Sequence, residues 1–312
     1  MRRYFSVQNF FDVFKTALGV VKALFQVFFI YPDVIFSKGG YASFPTVFAA
    51  RLLRIPLVIH DSDSHPGAVN RWAGKFAERI AISYPEAADY FPKDKVALVG
   101  NPVRKGLTTP AREGAHEFLK LSSSLPVIVI LGGSQGAGVL NDAVLGALPE
   151  LILRYQIIHQ TGEQNFAEVS ATAQVVLEKH ADAQRYGAFP FLNELALRMA
   201  AGAASMIVSR SGSGAIFEIA QWGIPSIIIP LPESISHDQT KNAFAYARSG
   251  AAVVIEQDNL TPHLLVSETN RLMDNLPLRE KMVAAALHFA RPDAARAIAE
   301  VILTIALNHE SR

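Results

Sequence analysis

Ser209-Arg-Ser-Gly-Ser-Gly-Ala-Ile-Phe-Glu218 is the stretch that decides how this 312-residue chain folds. Before it, Ala204-Ser-Met-Ile-Val reads as a buried strand. After it, Ala215-Ile-Phe-Glu-Ile-Ala-Gln-Trp carries apolar residues at helical spacing. A strand, a glycine turn and a helix in that order are the repeating piece of a parallel sheet covered by helices. Gly212 and Gly214 let the backbone approach a ligand, and the first amides of the helix point toward it without partners. Such an end attracts an anion. Glu218 has two readings, a carboxylate that holds sugar hydroxyls or a surface residue matched to the helix dipole.

The same alternation runs outward in both directions. Asp33 to Ser37, Leu57 to His60, Arg79 to Ser83 and Val96 to Gly100 read as short strands, with helices at Ser43 to Arg54 and Ala68 to Phe76 between them. Residues 106–125 are polar and irregular apart from a short helix around His116. A second series then sets strands at Val127 to Leu131, Gln156 to Gln160, Tyr186 to Ala188, Ser205 to Ser209, Ser226 to Ile229 and Ala252 to Ile255. The fold class is α/β, with two Rossmann-like domains: residues 1–105, a linker 106–125, and residues 126–293. The apolar helix 294–308 is expected to pack back onto the first domain.

Composition agrees with an ordered two-domain protein. Half of the residues are hydrophobic, 18% are charged, and there is no cysteine, which removes disulfides, thiolate zinc sites and thiol catalysis. The net charge of +1 is unevenly placed: residues 1–105 hold 14 Lys and Arg against 8 Asp and Glu. A basic first part suits an anionic membrane surface. From Phe10 to Tyr31 the chain is rich in Phe, Leu and Val, but Asp12, Lys15, Lys22 and Gln26 interrupt it. It therefore fits neither a spanning helix nor a signal peptide. Two readings remain, a wholly buried helix or one that turns Phe10, Phe14 and Leu18 toward a membrane interface.

In open parallel sheets ligands bind outside the carboxyl ends of the strands, and the motifs of this chain fall there. They are Gly39-Gly-Tyr, Ile59-His-Asp-Ser-Asp, Gly100-Asn-Pro-Val-Arg, Gly132-Gly-Ser-Gln-Gly, Arg210-Ser-Gly and Asp238-Gln-Thr-Lys-Asn-Ala. Taken in order, they resemble the MurG family of membrane-associated glycosyltransferases. The resemblance implies a GT-B architecture and inverting, metal-independent transfer of N-acetylglucosamine from UDP-N-acetylglucosamine to undecaprenyl-pyrophosphoryl-N-acetylmuramoyl-pentapeptide in peptidoglycan synthesis. It implies no cofactor and no nucleic-acid partner, with the protein peripheral on the cytoplasmic side of the cell membrane.

By the same resemblance Arg104 contacts the donor, Ser134 meets the pyrophosphate and Leu192 lies beside uracil. Glu218 binds the ribose hydroxyls, with Ser213, Gly214, Ala215, Ile216 and Phe217 as the surrounding turn and helix start. Gln239 reads the sugar hydroxyls, and Asp63 stands where some members carry Asn. Asp61-Ser-Asp63 has the spacing of a metal motif, but its place after His60 in the acceptor-side domain argues against that role. His60, His159 and His237 read as structural. The family's G-G-T-G-G-H loop, whose His is the usual candidate for the base, has no counterpart here. The expectation is a first domain shortened at its N-terminus by about two strand-and-crossover units, roughly 60 residues.

Overall fold

Among the described residues ten short apolar runs become strands, and each pairs in parallel with its neighbours. The computed structural model describes the backbone of residues 7–133 and 138–310, and the side chains of 14–133, 138–236 and 238–309. Two units have their own cores, residues 1–101 with 293–312, and residues 102–292.

The first unit opens with α1 (Val7–Ile30), followed by β1 (Ile35–Ser37), α2 (Phe44–Leu53), β2 (Leu57–Asp61), α3 (Ala68–Ala73), β3 (Arg79–Ile82) and β4 (Val96–Leu98). The sheet order is β1-β2-β3-β4. Ile35, Leu57, Ile59, Ile80 and Ile82 build the core with Val47 and Ala50 of α2. Ala23 and Val27, one turn apart on α1, join that core, which fixes which face of the helix is inside. β1 begins at Ile35 rather than at Asp33, because Tyr31 adopts a φ of 42° and Asp33 lies within 3.2 Å of His309 Nδ1. β4 stops at Leu98, two residues before Gly100, whose φ is 84°.

The second unit contains α4 (Ala115–Phe118), β5 (Val127–Leu131), α5 (Gly138–Leu151), β6 (Gln156–Gln160), α6 (Phe166–Leu177), β7 (Tyr186–Phe189), α7 (Glu194–Ala203), β8 (Ala204–Ser209), α8 (Ser213–Trp222), β9 (Ser226–Ile228), α9 (His237–Arg248), β10 (Ala252–Val254), α10 (Pro262–Met273) and α11 (Leu276–Phe289). Its sheet runs β10-β9-β8-β5-β6-β7, the doubly wound order. The order in which strands are added reverses between β5 and β8, so a crevice opens at the carboxyl ends of those two parallel strands. All five residues of β5 are buried, as a strand covered on both faces requires.

Residues 106–125 lie against this second unit. Leu107 is fully buried, and its carbonyl accepts from Trp222 Nε1 at 2.6 Å. The carbonyl of Thr108 accepts from Gln221 Nε2, and the Ala111 amide donates to the carbonyl of Arg198. The first two bonds hold the far end of α8, the helix that carries Glu218, and the third ties the segment to α7. The last helix, α12 (Ala294–Glu310), belongs to the first unit.

Candidate functional site

A cavity of about 470 Å³ occupies the crevice of the second unit, at the ends of β5, β6, β8 and β9. Leu131, Phe191, Leu192 and Leu197 give it apolar walls, while Arg104, Arg210, Glu218, Gln160 and Gln239 supply the polar groups. That mixture suits a ligand with a flat apolar part and a charged part.

The start of α8 forms one side of the cavity. Gly212 is its N-cap, with no side-chain cap, and the first helical bond runs from the Ile216 amide to the Gly212 carbonyl. The amides before Ile216 are thus not used by the helix itself. Gly212 has an ordinary φ of −59°, and a Cβ added there or at Gly214 would meet no atom within 4 Å. Neither backbone strain nor close packing asks for these glycines. What they provide is open space beside the Gly214 and Ala215 amides at the start of the helix, which is what an anion needs.

Arg210 stands behind that space, only 8% exposed. Nη1 donates to the Ile229 and Pro230 carbonyls, and Nη2 donates to Gln257 Oε1 at 2.8 Å. Burial pulls its pKa down to about 10, so it is still a cation at neutral pH. Among the described residues no carboxylate bonds it, and Nε has no partner. A buried positive charge, without a counterion among the described residues, is therefore built into the cavity wall. Arg104, by contrast, is half exposed and donates from Nε to Glu218 Oε1 at 3.0 Å.

Two glutamines are oriented by the backbone. Gln239 Oε1 accepts from the Leu231 amide and from Ser211 Oγ, both at 3.3 Å. Gln160 Oε1 accepts from the Leu192 amide at 3.0 Å. An amide N–H can only donate, so in both side chains the oxygen is fixed and the NH₂ end is the group left for a ligand.

Of the residues expected from sequence, Arg104, Leu192, Ala215, Glu218 and Gln239 border this one cavity. Leu192 has its side chain 2% exposed, whereas Phe191 beside it is 51% exposed and presents the apolar surface. Ile216 and Phe217 face the core, Phe217 with its ring 5.1 Å from that of Phe289, so only their main chain is available to a ligand. Ser213 is buried and Gly214 exposed. Ser134 lies outside the described residues, as do the side chains of Phe10 and His237. Phe14 and Leu18 are 57% and 70% exposed on α1. Sequence reasoning passed over Gln160, Phe191 and the burial of Arg210. The available signal for Gln160 was a polar residue at the carboxyl end of an otherwise buried strand.

Asp63 is in the first unit, among polar groups at the ends of β1 and β2. Its amide donates to Asp61 Oδ1, and Asn70 Nδ2 donates to Asp61 Oδ2 at 2.8 Å. Asp61 is 3% exposed, and burial raises its pKa. Lys38 Nζ donates to Asn101 Oδ1 at 3.0 Å; burial lowers its pKa against the opposing pull of Asp63 and Asp61. Gly39, at φ +81°, leaves the room that Asn70 fills, since a Cβ there would come within 2.5 Å of Nδ2. His60 Nε2 lies 2.9 Å from the Gly100 carbonyl and 3.2 Å from Ser83 Oγ, and burial lowers its pKa to about 4. In the second unit His159 lies between Tyr186 OH and Asn141 Oδ1, with its pKa lowered by burial to about 3. Both rings are neutral at pH 7.

Two domain families match the chain. Residues 1–82 match the N-terminal domain of glycosyltransferase family 28, and residues 127–298 match its C-terminal domain. The UDP-N-acetylglucosamine–N-acetylmuramyl-(pentapeptide) pyrophosphoryl-undecaprenol N-acetylglucosamine transferase of Treponema denticola is 36% identical over 287 residues, 90% of this chain and 72% of that protein. The like-named transferase 3 of Bacillus thuringiensis is 38% identical over 277 residues, 88% of this chain and 75% of its own length. The crystal structure of MurG from Acinetobacter baumannii superposes with a TM-score of 0.75 at 27% identity, covering 97% of this chain and 82% of that one.

Proposed function

This chain belongs to the MurG family within glycosyltransferase family 28, and we propose that it transfers N-acetylglucosamine from UDP-N-acetylglucosamine to undecaprenyl-pyrophosphoryl-N-acetylmuramoyl-pentapeptide. The observation that carries the donor half of this reading is the anion-ready wall of the second unit. The open Gly212 at the start of α8 and Arg210, which no described carboxylate bonds, share one cavity with an acidic residue and an apolar surface.

In the proposed reaction an acceptor hydroxyl oxygen bonds to the anomeric carbon, with inversion, as the bond from that carbon to the β-phosphate oxygen breaks. The hydroxyl proton is lost and UDP departs. Negative charge grows on the leaving diphosphate, where the α8 amides and Arg210 offset it without moving, the form of stabilisation that acts most strongly in a water-poor site. Glu218 accepts from the ribose hydroxyls after releasing Arg104, which turns to the diphosphate. Gln239 donates from Nε2 to a hydroxyl of the transferred sugar. The proposal assigns no cofactor and no metal step to the chain.

For the acceptor side, we propose peripheral attachment at the cytoplasmic membrane surface through α1. Phe14, Leu18, Val21, Phe25 and Phe29 are all more than half exposed, at spacings of three and four residues. Lys15 and Lys22 lie exposed among them. Among the described residues no helix is long and apolar enough to cross a membrane. An amphipathic face of this kind supports lying in the interface.

The test is to titrate UDP and UDP-N-acetylglucosamine while following transfer to a lipid-linked muramoyl acceptor. Saturable binding with transfer is the expected result. Binding without transfer would reduce the chain to a donor-binding protein, and no UDP binding would sink the site.

A further inference from the structure

Among the described residues Arg210 is held by three acceptors, and none of them is charged. Two are the Ile229 and Pro230 carbonyls just past β9, and the third is Gln257 Oε1, 2.8 Å from Nη2. Gln257 opens the single turn Gln257–Asn259 that follows β10, and both of its neighbours in sequence are acidic: Glu256-Gln257-Asp258. The two carboxylate residues are exposed, whereas Gln257 is partly buried. Of these three side chains, the uncharged one meets the guanidinium. Arg210 borders the cavity and Gln257 does not, so whatever Gln257 does for a ligand it does through Arg210.

A neutral acceptor and a carboxylate leave different things behind at such a place. A buried guanidinium has lost its hydration, and bonds to neutral oxygens restore part of that interaction without cancelling the charge. A carboxylate would bond it more strongly, but its own field would offset the positive one throughout the cavity. The neutral arrangement is therefore the less stable one for the protein alone and the more attractive one for an anion. Arg210 carries the mark of it, since burial pulls its pKa down to about 10.

We propose that Gln257 is a positioning residue for the diphosphate of the donor: its carboxamide oxygen holds the Arg210 guanidinium in the cavity wall and leaves the positive charge free to act on the ligand. The proposal rests on the donor reading given above, because Arg210 and not Gln257 meets the phosphates. Neutrality at position 257 is what the assignment requires. A carboxylate there, at hydrogen-bonding distance from the guanidinium, would weaken a polyanionic ligand on the order of 10-fold at the effective dielectric of a protein site.

Calorimetric titration of the full chain with UDP and with uridine tests this. Gln257→Glu keeps the oxygen that accepts from Nη2 and adds one negative charge. It is expected to weaken UDP about 10-fold or more, to leave uridine within about 2-fold, and to keep or raise the thermal midpoint without ligand. Gln257→Met removes the bond and adds no charge, so it should weaken UDP less than Gln257→Glu does. With Arg210→Gln in place, Gln257→Met should weaken UDP no further, as a residue that acts only through Arg210 must. Equal losses for UDP and uridine in Gln257→Glu would show a structural role only and overturn the proposal, as would UDP affinity unchanged by that substitution. An undiminished effect of Gln257→Met in the Arg210→Gln chain would overturn it too, without relying on Gln257→Glu to fold. Failure of wild type to bind UDP at all would instead remove the donor reading itself.

Discussion

Gly214 shows how a single residue separates folding from binding. It lies in the first turn of α8, where alanine is the better helix former by up to about 1 kcal/mol. No neighbour would obstruct the added methyl group. Gly214→Ala is therefore expected to raise the thermal midpoint slightly while weakening UDP about 10-fold by filling the diphosphate space; differential scanning fluorimetry with and without UDP reads both effects. Arg210→Gln removes the buried charge but keeps a donor for Ile229, and should weaken UDP far more than uridine, by about 10-fold or more, in parallel calorimetric titrations. At this scale Glu218 was legible, because its spacing from the glycines already places it one turn into the helix. Gln160 and the burial of Arg210 were not. Which end of a carboxamide is spent, and whether an arginine meets a carboxylate, depend on chain segments 19 to 47 residues away.

Whole elements were easier to read than single side chains. All ten strands form where apolar runs sit between turn residues, and the shifts at β1 and β4 trace to local backbone at Tyr31 and Gly100. The periodicity of α1 could not say which apolar residues turn inward, since Phe, Leu and Val occur all around it; only the packing on Ala23 and Val27 does that. Its exposed face predicts sedimentation with anionic vesicles that falls as salt rises from 0.1 to 1 M, where the screening length shrinks from about 10 to 3 Å. Phe14→Ser with Leu18→Ser should abolish the residual binding at high salt. Elements are also joined by buried histidines. His159 ties β6 to α5 and β7, and His60 ties β2 to the ends of β3 and β4. Their folded pKa values, about 3 and about 4, lie below the unfolded value of 6.5. Protons therefore favour the unfolded chain. Stability should be level above pH 6.5 and fall below it by about 1.4 kcal/mol per pH unit for each ring, until its folded pKa is passed. Urea unfolding between pH 8 and 4 measures this, and His159→Gln should make the slope shallower.

Over the molecule as a whole, each of the two units has a core of its own. The sheet order of the second unit creates its crevice without help from the first. Hydrogen exchange with saturating UDP should accordingly slow amides at 131–133, 209–218 and 231, and leave the strands at 57–61 and 79–82 unchanged. Slowing confined to the first unit would contradict the assignment.

The ion pair between Arg104 and Glu218 joins the two side chains to which the proposal assigns the diphosphate and the ribose. A lone diphosphate can draw Arg104 away only by stranding the carboxylate beside new negative charge. A lone sugar diol can engage Glu218 only by releasing the arginine with nothing to hold. A molecule that carries both groups at the spacing of a nucleoside diphosphate makes the two exchanges together. On the proposed reading the pair favours a ligand that carries both groups over pyrophosphate or a free nucleoside, by a modest factor because a half-exposed ion pair is worth about 1 kcal/mol or less.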